Sequence, residues 1–245
     1  MRVVNIANSR TMNLRINEPD TSVIAIDGQP VKPYKLMSGE FSIAAGQRYD
    51  LMIDMSSAAN QLSSIDLLVN GETIPISGFR YGSGIKRNRL LNTPISLPDN
   101  PINLTEVGNI DNYVSLHIEG GAMGGMKSAI YQGEKMTIRE LIQKRQIWSV
   151  NGYAGLPKEP LFKVKRGQSV ALNIFNDNGW PHAIHIHGHH FKSSKSPAIW
   201  RDTELVQRRE KRILKFIADN PGKWLIHCHM IEHQAGGMVS WFEVT

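Results

Sequence analysis

The histidines and the cysteine of this sequence are concentrated in one short region. Of the nine histidines, eight lie between His182 and His233, and the only cysteine, Cys228, lies among them. They fall into two strings, WPHAIHIHG at 180–188 and HCHMIEHQAGGM at 227–238. A single histidine is usually a surface or core residue, but eight histidines around one thiol indicate a metal site.

Four of these side chains form a ligand set that favours copper. One thiolate, two imidazoles and a weak thioether are the donors typical of a blue copper site. Zinc would favour a closed set of Cys and His ligands without a long axial methionine. Cys228, His233 and Met238 are spaced five residues apart, which suits a loop that folds back over the metal. Taken alone, Met238 would more often be a core residue, so the prediction depends on the whole set. The predicted ligands of this copper are His182, Cys228, His233 and Met238.

The neighbouring histidines predict a second metal cluster. In an extended strand, successive side chains point to opposite faces, so His227 and His229 point away from Cys228. His185 and His187 share a face by the same alternation. The blue copper does not use these four imidazoles, and a simple electron-transfer protein has no reason to carry them. We therefore expect electrons to pass from Cys228 through the adjacent peptide units to a second cluster. The candidate catalytic residues are Cys228, His227 and His229.

The elements that must hold these residues are predicted to be short β-strands. Strand-like runs alternate with Gly, Pro, Asn and Asp, which is typical of antiparallel β-sandwiches. One helix is predicted over 137–144, because Thr137 with Glu140 three residues later forms a capping box. Residues 92–112, rich in Pro and Asn, are interpreted as the link between two domains. The clearest strand-like runs are Ser22–Ile26, Tyr49–Ile53, Ile65–Val69, Val170–Phe175, Arg212–Ile217 and Val239–Val244.

The two halves of the chain resemble one another in sequence. Residues 2–8 align with 170–176, and residues 41–48 align with 214–224, which indicates tandem domains of one fold. The second copy has strand-like sequence before it, whereas the first copy has none. We therefore expect an all-β fold of two tandem β-sandwiches, the first lacking its opening strands. The predicted domains are residues 1–105 and 113–245.

Composition and charge exclude several other classes of protein. The chain has 245 residues, of which 41% are hydrophobic and 20% charged, close to a globular average. No run of about 18 apolar residues occurs, so no membrane span is predicted. The first ten residues lack the apolar core of a secretory signal. The net charge of +6 is spread along the sequence, and its densest cluster, 208–212, contains Glu210, which argues against nucleic-acid binding.

At the histidine strings the sequence resembles the multicopper oxidases, the laccase-like family. The family motif HxxHxH matches His182, His185 and His187, and HCHxxxHxxxxM matches residues 227–238 in every ligand position. The sequence around these motifs is most similar to that of bacterial periplasmic members of the copper-resistance and manganese-oxidation type. The earlier segments NIANSR, VIAIDGQPV and GQRYDLMI resemble the middle domain of three-domain members. The resemblance implies two tandem cupredoxin-like Greek-key domains. It assigns the blue copper to His182, Cys228, His233 and Met238, and half of a trinuclear copper cluster to His185, His187, His227 and His229.

The resemblance also implies what this chain needs from elsewhere. The family's trinuclear cluster takes eight histidines, four of them from a first domain, and only His117 precedes His182 in this sequence. We therefore interpret the sequence as the C-terminal part of a three-domain oxidase whose N-terminal cupredoxin domain is missing. The complete enzyme would hold up to four coppers and this chain one blue copper. The chain alone is expected to be incomplete for turnover, and the resemblance implies a periplasmic or secreted location.

The function implied is one-electron oxidation at the blue copper, coupled in the complete enzyme to reduction of dioxygen to water. Small reducing substrates of the family are phenols, aromatic amines and low-valent metal ions, and the sequence favours none of them. Two alternatives stay open: a stand-alone blue-copper electron-transfer protein, and a copper-binding chain without turnover. Some bacterial family members carry a proton-relaying acid at the position of Gln234, so the sequence leaves the proton route open. The residues interpreted as structural are His117, Met123, Met126, His189 and His190.

Overall fold

A computed structural model of the protein describes residues 1–18, 20–84, 93–100, 106–122 and 124–245. Within these ranges β-strands dominate and the two α-helices are short, which confirms the predicted all-β class. Contacts divide the chain into two compact units, residues 1–101 and 102–245. Residues 92 and 101–105 of the predicted linker lie outside the described residues, as does Met123. Among the described residues, no helix is long and apolar enough to cross a membrane.

The described residues of the first unit form eight strands. They are β1 (Arg2–Val4), β2 (Met12–Ile16), β3 (Thr21–Ile26), β4 (Gln29–Lys35), β5 (Glu40–Ile43), β6 (Arg48–Ile53), β7 (Leu62–Val69) and β8 (Glu72–Arg80), with a 3₁₀ turn at Met37–Gly39. They form two four-stranded sheets, β1-β6-β3-β4 and β5-β2-β7-β8. Leu14 and Ile16 of β2 are buried, as are Val23 of β3 and Leu51 of β6. In β2 the two buried residues alternate with the partly exposed Arg15, as a strand with one covered face requires.

The second unit carries the predicted metal ligands. Its elements are β9 (Asn112–Gly120), β10 (Ser128–Tyr131), β11 (Glu134–Thr137), α1 (Ile138–Gln143), β12 (Trp148–Val150), β13 (Lys163–Val164), β14 (Ser169–Asn176), β15 (His182–Ile186), β16 (Phe191–Ser193), β17 (Ser196–Arg201), β18 (Thr203–Val206), β19 (Lys211–Ile217), β20 (Gly222–Cys228), α2 (Ile231–Ala235) and β21 (Val239–Val244). The sheets are β12-β9-β14-β19-β16-β17, β13-β21-β20-β15-β18 and the hairpin β10-β11. Phe216 of the six-stranded sheet meets Phe242 of the five-stranded sheet at 5.8 Å between ring centroids. Both rings are fully buried, and burying a phenylalanine contributes about 1.5–3 kcal/mol.

Two neighbouring strands position most of the candidate ligands. Strands β15 and β20 are antiparallel, and their register places Ile184 opposite Cys228 and His185 opposite His227. Side chains alternate between the faces of a sheet, so Cys228 shares a face with Ile184, and His227 shares the other face with His185. The register therefore separates the thiol from the neighbouring imidazoles, as the alternation in the sequence predicts.

The local elements agree with the sequence signals. All six predicted strand-like runs fall within β3, β6, β7, β14, β19 and β21. Helix α1 has Thr137 as its N-cap with a complete capping box. The backbone N–H and the hydroxyl of Thr137 each donate to Glu140 Oε2 at 2.7 Å. These hydrogen bonds, that of the hydroxyl first, hold the pKa of Glu140 below its usual value, because they favour the ionised carboxylate.

The predicted alignment of residues 41–48 with 214–224 is wrong. The sheets β1-β6-β3-β4 and β5-β2-β7-β8 of the first unit have the same strand order as β14-β19-β16-β17 and β18-β15-β20-β21 of the second unit. Strand β1 therefore corresponds to β14, and these are the strands that the alignment of residues 2–8 with 170–176 brings together. Residues 41–43 lie in β5, which corresponds to β18, whereas residues 214–216 lie in β19, which corresponds to β6. Short apolar runs look alike in sequence, and only strand pairing distinguishes them.

Candidate metal centre

Three of the predicted blue-copper ligands converge in the second unit. The Nδ1 atoms of His182 and His233 lie 2.9 Å apart. Cys228 Sγ lies 3.9 Å from Nδ1 of His182 and 3.7 Å from Nδ1 of His233. His182 and Cys228 are fully buried, whereas His233 is half-buried. One thiol and two imidazoles therefore present their donor atoms to the same small volume.

The side chain of Asn178 fixes the orientation of the His182 ring through the nitrogen Nε2. Its Nε2 lies 2.9 Å from Oδ1 of Asn178, and the backbone N–H of Trp180 donates to the same oxygen at 3.0 Å. A backbone N–H can only donate, so this contact identifies the amide atom as the oxygen. Nε2 of His182 must then carry the proton and donate, which leaves the lone pair of Nδ1 facing Cys228.

Met238, the fourth predicted ligand, lies against the same group. Its side chain is buried. Its backbone N–H donates to the carbonyl of His233 at 3.0 Å, and its carbonyl accepts from the N–H of Cys228 at 3.2 Å. The backbone therefore ties Met238 to two of the three converging residues.

Burial controls the ionisation of this group in the metal-free protein. It raises the pKa of the Cys228 thiol to about 12, against the opposing effect of backbone hydrogen bonds from Met230 and Ala183. Burial, followed by repulsion from His233, lowers the pKa of His182 to about 3. Burial also lowers the pKa of His233, against the opposing charge of Glu232. The imidazoles are thus neutral and ready to donate, and the thiol must lose a proton when a metal binds.

Copper fits this donor set. A thiolate with two neutral imidazoles is a soft, nitrogen- and sulfur-rich environment of the kind that copper favours. The partly exposed edge of His233 leaves one side of the group near solvent.

The four remaining predicted ligands lie together on the other face of β15 and β20. The Nε2 atoms of His187 and His227 are 2.8 Å apart. Ligand atoms of His185, His187 and His227 all lie within 4.8 Å of one another. The ring of His229 stacks on that of His185 at 3.9 Å between centroids and 17° between planes. The structure thus brings four imidazoles into a second group, whose members are all different from those of the Cys228 group.

Backbone and hydroxyl oxygens fix the tautomers of three of these rings. Nδ1 of His185 donates to the carbonyl of Asp202 at 2.8 Å, and Nδ1 of His227 donates to the carbonyl of Cys228 at 2.9 Å. The hydroxyl of Thr203 donates to Asp202 Oδ1 at 2.8 Å and accepts from Nδ1 of His229 at 3.0 Å. In each of these rings Nε2 is therefore the unprotonated nitrogen, as a metal ligand requires.

Three of these imidazoles are also held neutral. Burial lowers the pKa of His185 to about 4, although the charge of Asp202 opposes this shift. Burial likewise lowers the pKa values of His187 and His227. Together with His229, these imidazoles make a nitrogen-rich site that suits copper or zinc.

A third group of ionisable residues lies outside the predicted sites. Nδ1 of His117 lies 3.7 Å from Glu119, and Nε2 lies 3.2 Å from Asp177. Asp177 is also paired with Arg209. The two ring nitrogens face different carboxylates and a guanidinium already neutralises one of them. This arrangement is a surface ion-pair network, and we retain the structural interpretation of His117.

Two other predicted structural residues are placed in the core. Met126 packs in a buried cluster with Ala129, Leu141 and Ala154. The ring of His189 is buried, and its Nδ1 donates to the carbonyl of His187 at 3.1 Å. Both contacts support the structural interpretation of these residues.

Sequence reasoning missed the residues that support the ligands. Asn178 lies in the run NDNG, which reads only as a turn. Thr203 begins a strand 26 residues before His229. Trp148, whose ring contacts both His182 and His233, is separated from them by several strands. No local motif marks these positions, because each acts through a contact that the fold creates.

Comparison with known proteins shows the family. Two family models, both described as multicopper oxidase, match residues 1–66 and 130–245. Multicopper oxidase MmcO of Mycobacterium tuberculosis is 26% identical over 98% of this chain and 45% of its own length. A multi-copper oxidase structure from Pseudomonas thermotolerans has a TM-score of 0.75 and 23% identity over 100% of this chain and 54% of its own. The structure of Lac15, from a marine microbial metagenome, has a TM-score of 0.70 and 27% identity over 99% of this chain and 54% of its own.

The chain therefore belongs to the multicopper oxidases, a family of copper-dependent oxidoreductases. The predicted family and the cupredoxin-like β-sandwich fold are confirmed. The chain spans about half the length of the curated relatives it matches.

Proposed function

We propose that this chain supplies the blue copper site of a multicopper oxidase and four of the histidines of its oxygen-reducing cluster. One observation carries the proposal. A thiol with two imidazoles occupies one face of β15 and β20, four imidazoles occupy the other, and His227-Cys228-His229 joins the two sets covalently. The proposed ligands of the blue copper are His182, Cys228, His233 and Met238. Those of the second cluster are His185, His187, His227 and His229.

Each side chain has a defined task in this proposal. Copper bound at the first group supplies one-electron redox chemistry. Asn178 holds His182 in the tautomer that presents Nδ1, and Cys228 gives up its thiol proton on binding. The peptide units on either side of Cys228 carry electrons to His227 and His229. A path of covalent bonds is favoured over a jump through space because electronic coupling falls more slowly along bonds.

Electrons are proposed to enter at His233. Its ring is half-buried, whereas His182 is fully buried. A reducing substrate that docks against the His233 edge therefore comes within reach of the site without entering it. Such outer-sphere transfer suits phenols, aromatic amines and low-valent metal ions alike.

The complete reaction is four one-electron oxidations of substrate coupled to reduction of dioxygen with four protons to two waters. The resemblance implies that four further histidines from another cupredoxin domain complete the second cluster. That domain is the proposed partner of this chain. A periplasmic or secreted location is proposed on the same basis.

The proposal is tested first by the colour of the copper-loaded protein. Purified chain reconstituted with Cu(II) should show an intense blue thiolate-to-copper charge-transfer band. Cys228→Ser should remove the band entirely, because the sequence contains no other thiol. His117→Asn is the matched control, since His117 lies outside both histidine groups, and it should keep the band. A colourless wild-type protein that binds copper with Cys228 reduced would contradict the assignment.

The stoichiometry of copper tests the second half of the proposal. Four imidazoles without their partners lack the support that orients a full trinuclear cluster. We therefore expect the isolated chain to retain at most one copper strongly and to accept electrons from a reducing dye without sustained oxygen uptake. Metal analysis with an oxygen electrode measures both. Four coppers per chain with steady oxygen consumption would contradict the expectation and require ligands from a second copy.

A further inference from the structure

The indole of Trp148 touches both imidazoles of the proposed blue copper site. Its ring centroid lies 4.9 Å from that of His182 in an edge-to-face arrangement at 79°. It lies 4.8 Å from that of His233, tilted by 46°. The two imidazoles are 4.8 Å from each other. The three rings therefore form a closed triangle in which a rotation of either imidazole would meet the indole.

The indole itself is held tightly from several directions. Trp148 is 4% exposed. A methyl group added at Gly121 would lie 2.3 Å from its Cη2 atom, and one added at Gly236 would lie 3.0 Å from its Cδ1 atom. The ring therefore lies close against the backbone at both glycines, and close packing of this kind disfavours a second rotamer.

The backbone of Trp148 also supports the segment that carries the ligands, residues 229–238. Its N–H donates to the carbonyl of Gly236 at 2.9 Å. Its carbonyl lies so close to Gly237 that an added methyl group there would be 2.3 Å away. The segment between His233 and Met238 thus packs directly against Trp148, although Trp148 comes about 90 residues earlier in the sequence.

We propose that Trp148 is a positioning residue of the blue copper site, which holds the planes of His182 and His233 and keeps water and small anions away from the copper. This inference rests on the proposed function. Aromatic pairs at these distances and angles favour fixed relative orientations. The same buried ring occupies volume beside both imidazoles that a solvent molecule would otherwise fill.

Removal of the indole should change access to the copper rather than its binding. Trp148→Ala would leave a cavity bordered by two imidazoles, and a cavity with polar groups and room for a water molecule fills with water. A fourth equatorial donor could then reach the copper. Trp148→Phe keeps an aromatic face in the same place and should largely preserve the site.

Azide titration of the Cu(II)-loaded protein measures this access. We expect Trp148→Ala to retain one copper but to bind azide at least about tenfold more tightly than wild type, equivalent to about 1.4 kcal/mol. The blue band should weaken as azide binds, and the copper hyperfine splitting in the electron paramagnetic resonance spectrum should widen. Trp148→Phe should stay close to wild type. Trp200→Ala is the matched control, because its ring contacts Lys192 rather than the candidate ligands.

The possible outcomes separate this inference from the proposed function. A wild-type protein without a blue band contradicts the proposed function itself. A blue wild type with unchanged azide affinity in a folded Trp148→Ala overturns only the role of Trp148. Should the alanine variant fail to fold, Trp148→Leu replaces it. Leucine is then expected to admit azide more readily than phenylalanine, and equal affinities in the leucine, phenylalanine and wild-type proteins would overturn the inference.

Discussion

At the scale of single residues, the proposed ligands are prepared by atoms that never touch the metal. The Asn178 amide oxygen sets the tautomer of His182, and the Thr203 hydroxyl sets that of His229. Both supporting residues are fully buried. Each hydrogen bond leaves the other ring nitrogen unprotonated, so the metal-free protein has little reorganisation left to do when copper binds.

Replacement of Met238 tests the axial position. Met238→Leu removes a weak sulfur donor and keeps the side-chain volume similar, a change that buried positions tolerate at a cost below about 1.5 kcal/mol. Copper should stay bound, and its reduction potential should rise, because the axial ligand tunes the potential. Spectroelectrochemical titration measures the shift. Met126→Leu is the matched control, since Met126 packs in a separate core cluster. An equal potential in Met238→Leu and wild type would remove Met238 from the ligand set.

At the scale of elements, two structural features position the candidate ligands. The register of β15 on β20 places Cys228 and His227 on opposite faces, so neighbouring residues serve different groups. Helix α2 and the glycines after it then return the chain so that the N–H of Met238 bonds to His233. Gly237 makes this return possible, because its φ of +118° is a conformation that L side chains rarely adopt.

A methyl group at Gly237 should therefore damage the ligand segment. The added carbon would lie 2.3 Å from the carbonyl oxygen of Trp148, and backbone strain of this kind costs about 1–3 kcal/mol. Gly237→Ala should lower the free energy of unfolding by at least that amount and weaken the blue band. Gly152→Ala is the control, because Gly152 also has a positive φ but nothing lies within 4 Å of an added methyl group. Chemical denaturation compares the two, and equal losses with both blue bands intact would contradict the argument.

At the scale of the whole second unit, the protein buries a group of histidines that must stay neutral. Burial lowers the pKa of His182 to about 3 and that of His185 to about 4, from an ordinary value of 6.5. An unfolded chain binds protons at these rings below pH 6.5, whereas the folded metal-free protein does not until the pH is much lower. Proton uptake therefore favours the unfolded state as the solution becomes acidic.

The metal-free protein should lose stability steadily from about pH 6.5 towards pH 4. The sign follows from the lowered pKa values: the contribution of these histidines is unfavourable below 6.5 and absent above it. Denaturant unfolding at several pH values measures the slope. His185→Asn, which cannot bind a proton in this range, should show a smaller loss than wild type. Identical slopes in the two proteins would show that His185 titrates normally in the folded state.

The sequence by itself determined the features that depend on nearby residues. Period-two alternation separates Cys228 from His227 and His229, and the capping box marks the start of α1. The motif 227–238 brings the proposed thiolate, imidazole and thioether into one short segment. These signals are readable because a strand or a helical turn fixes the directions of residues two to four positions apart.

Only the tertiary structure decided which distant residues meet. His182 comes within 3.9 Å of the Cys228 sulfur across 46 residues of sequence, because β15 pairs with β20. Strand pairing also overturned the alignment of residues 41–48 with 214–224, and the fold brought Asn178, Thr203 and Trp148 against the candidate ligands. Strand partners are selected by the packing of the whole domain and have no local signature. The sequence could therefore name the donors of the proposed copper site, and the fold alone could name the residues that hold them in place.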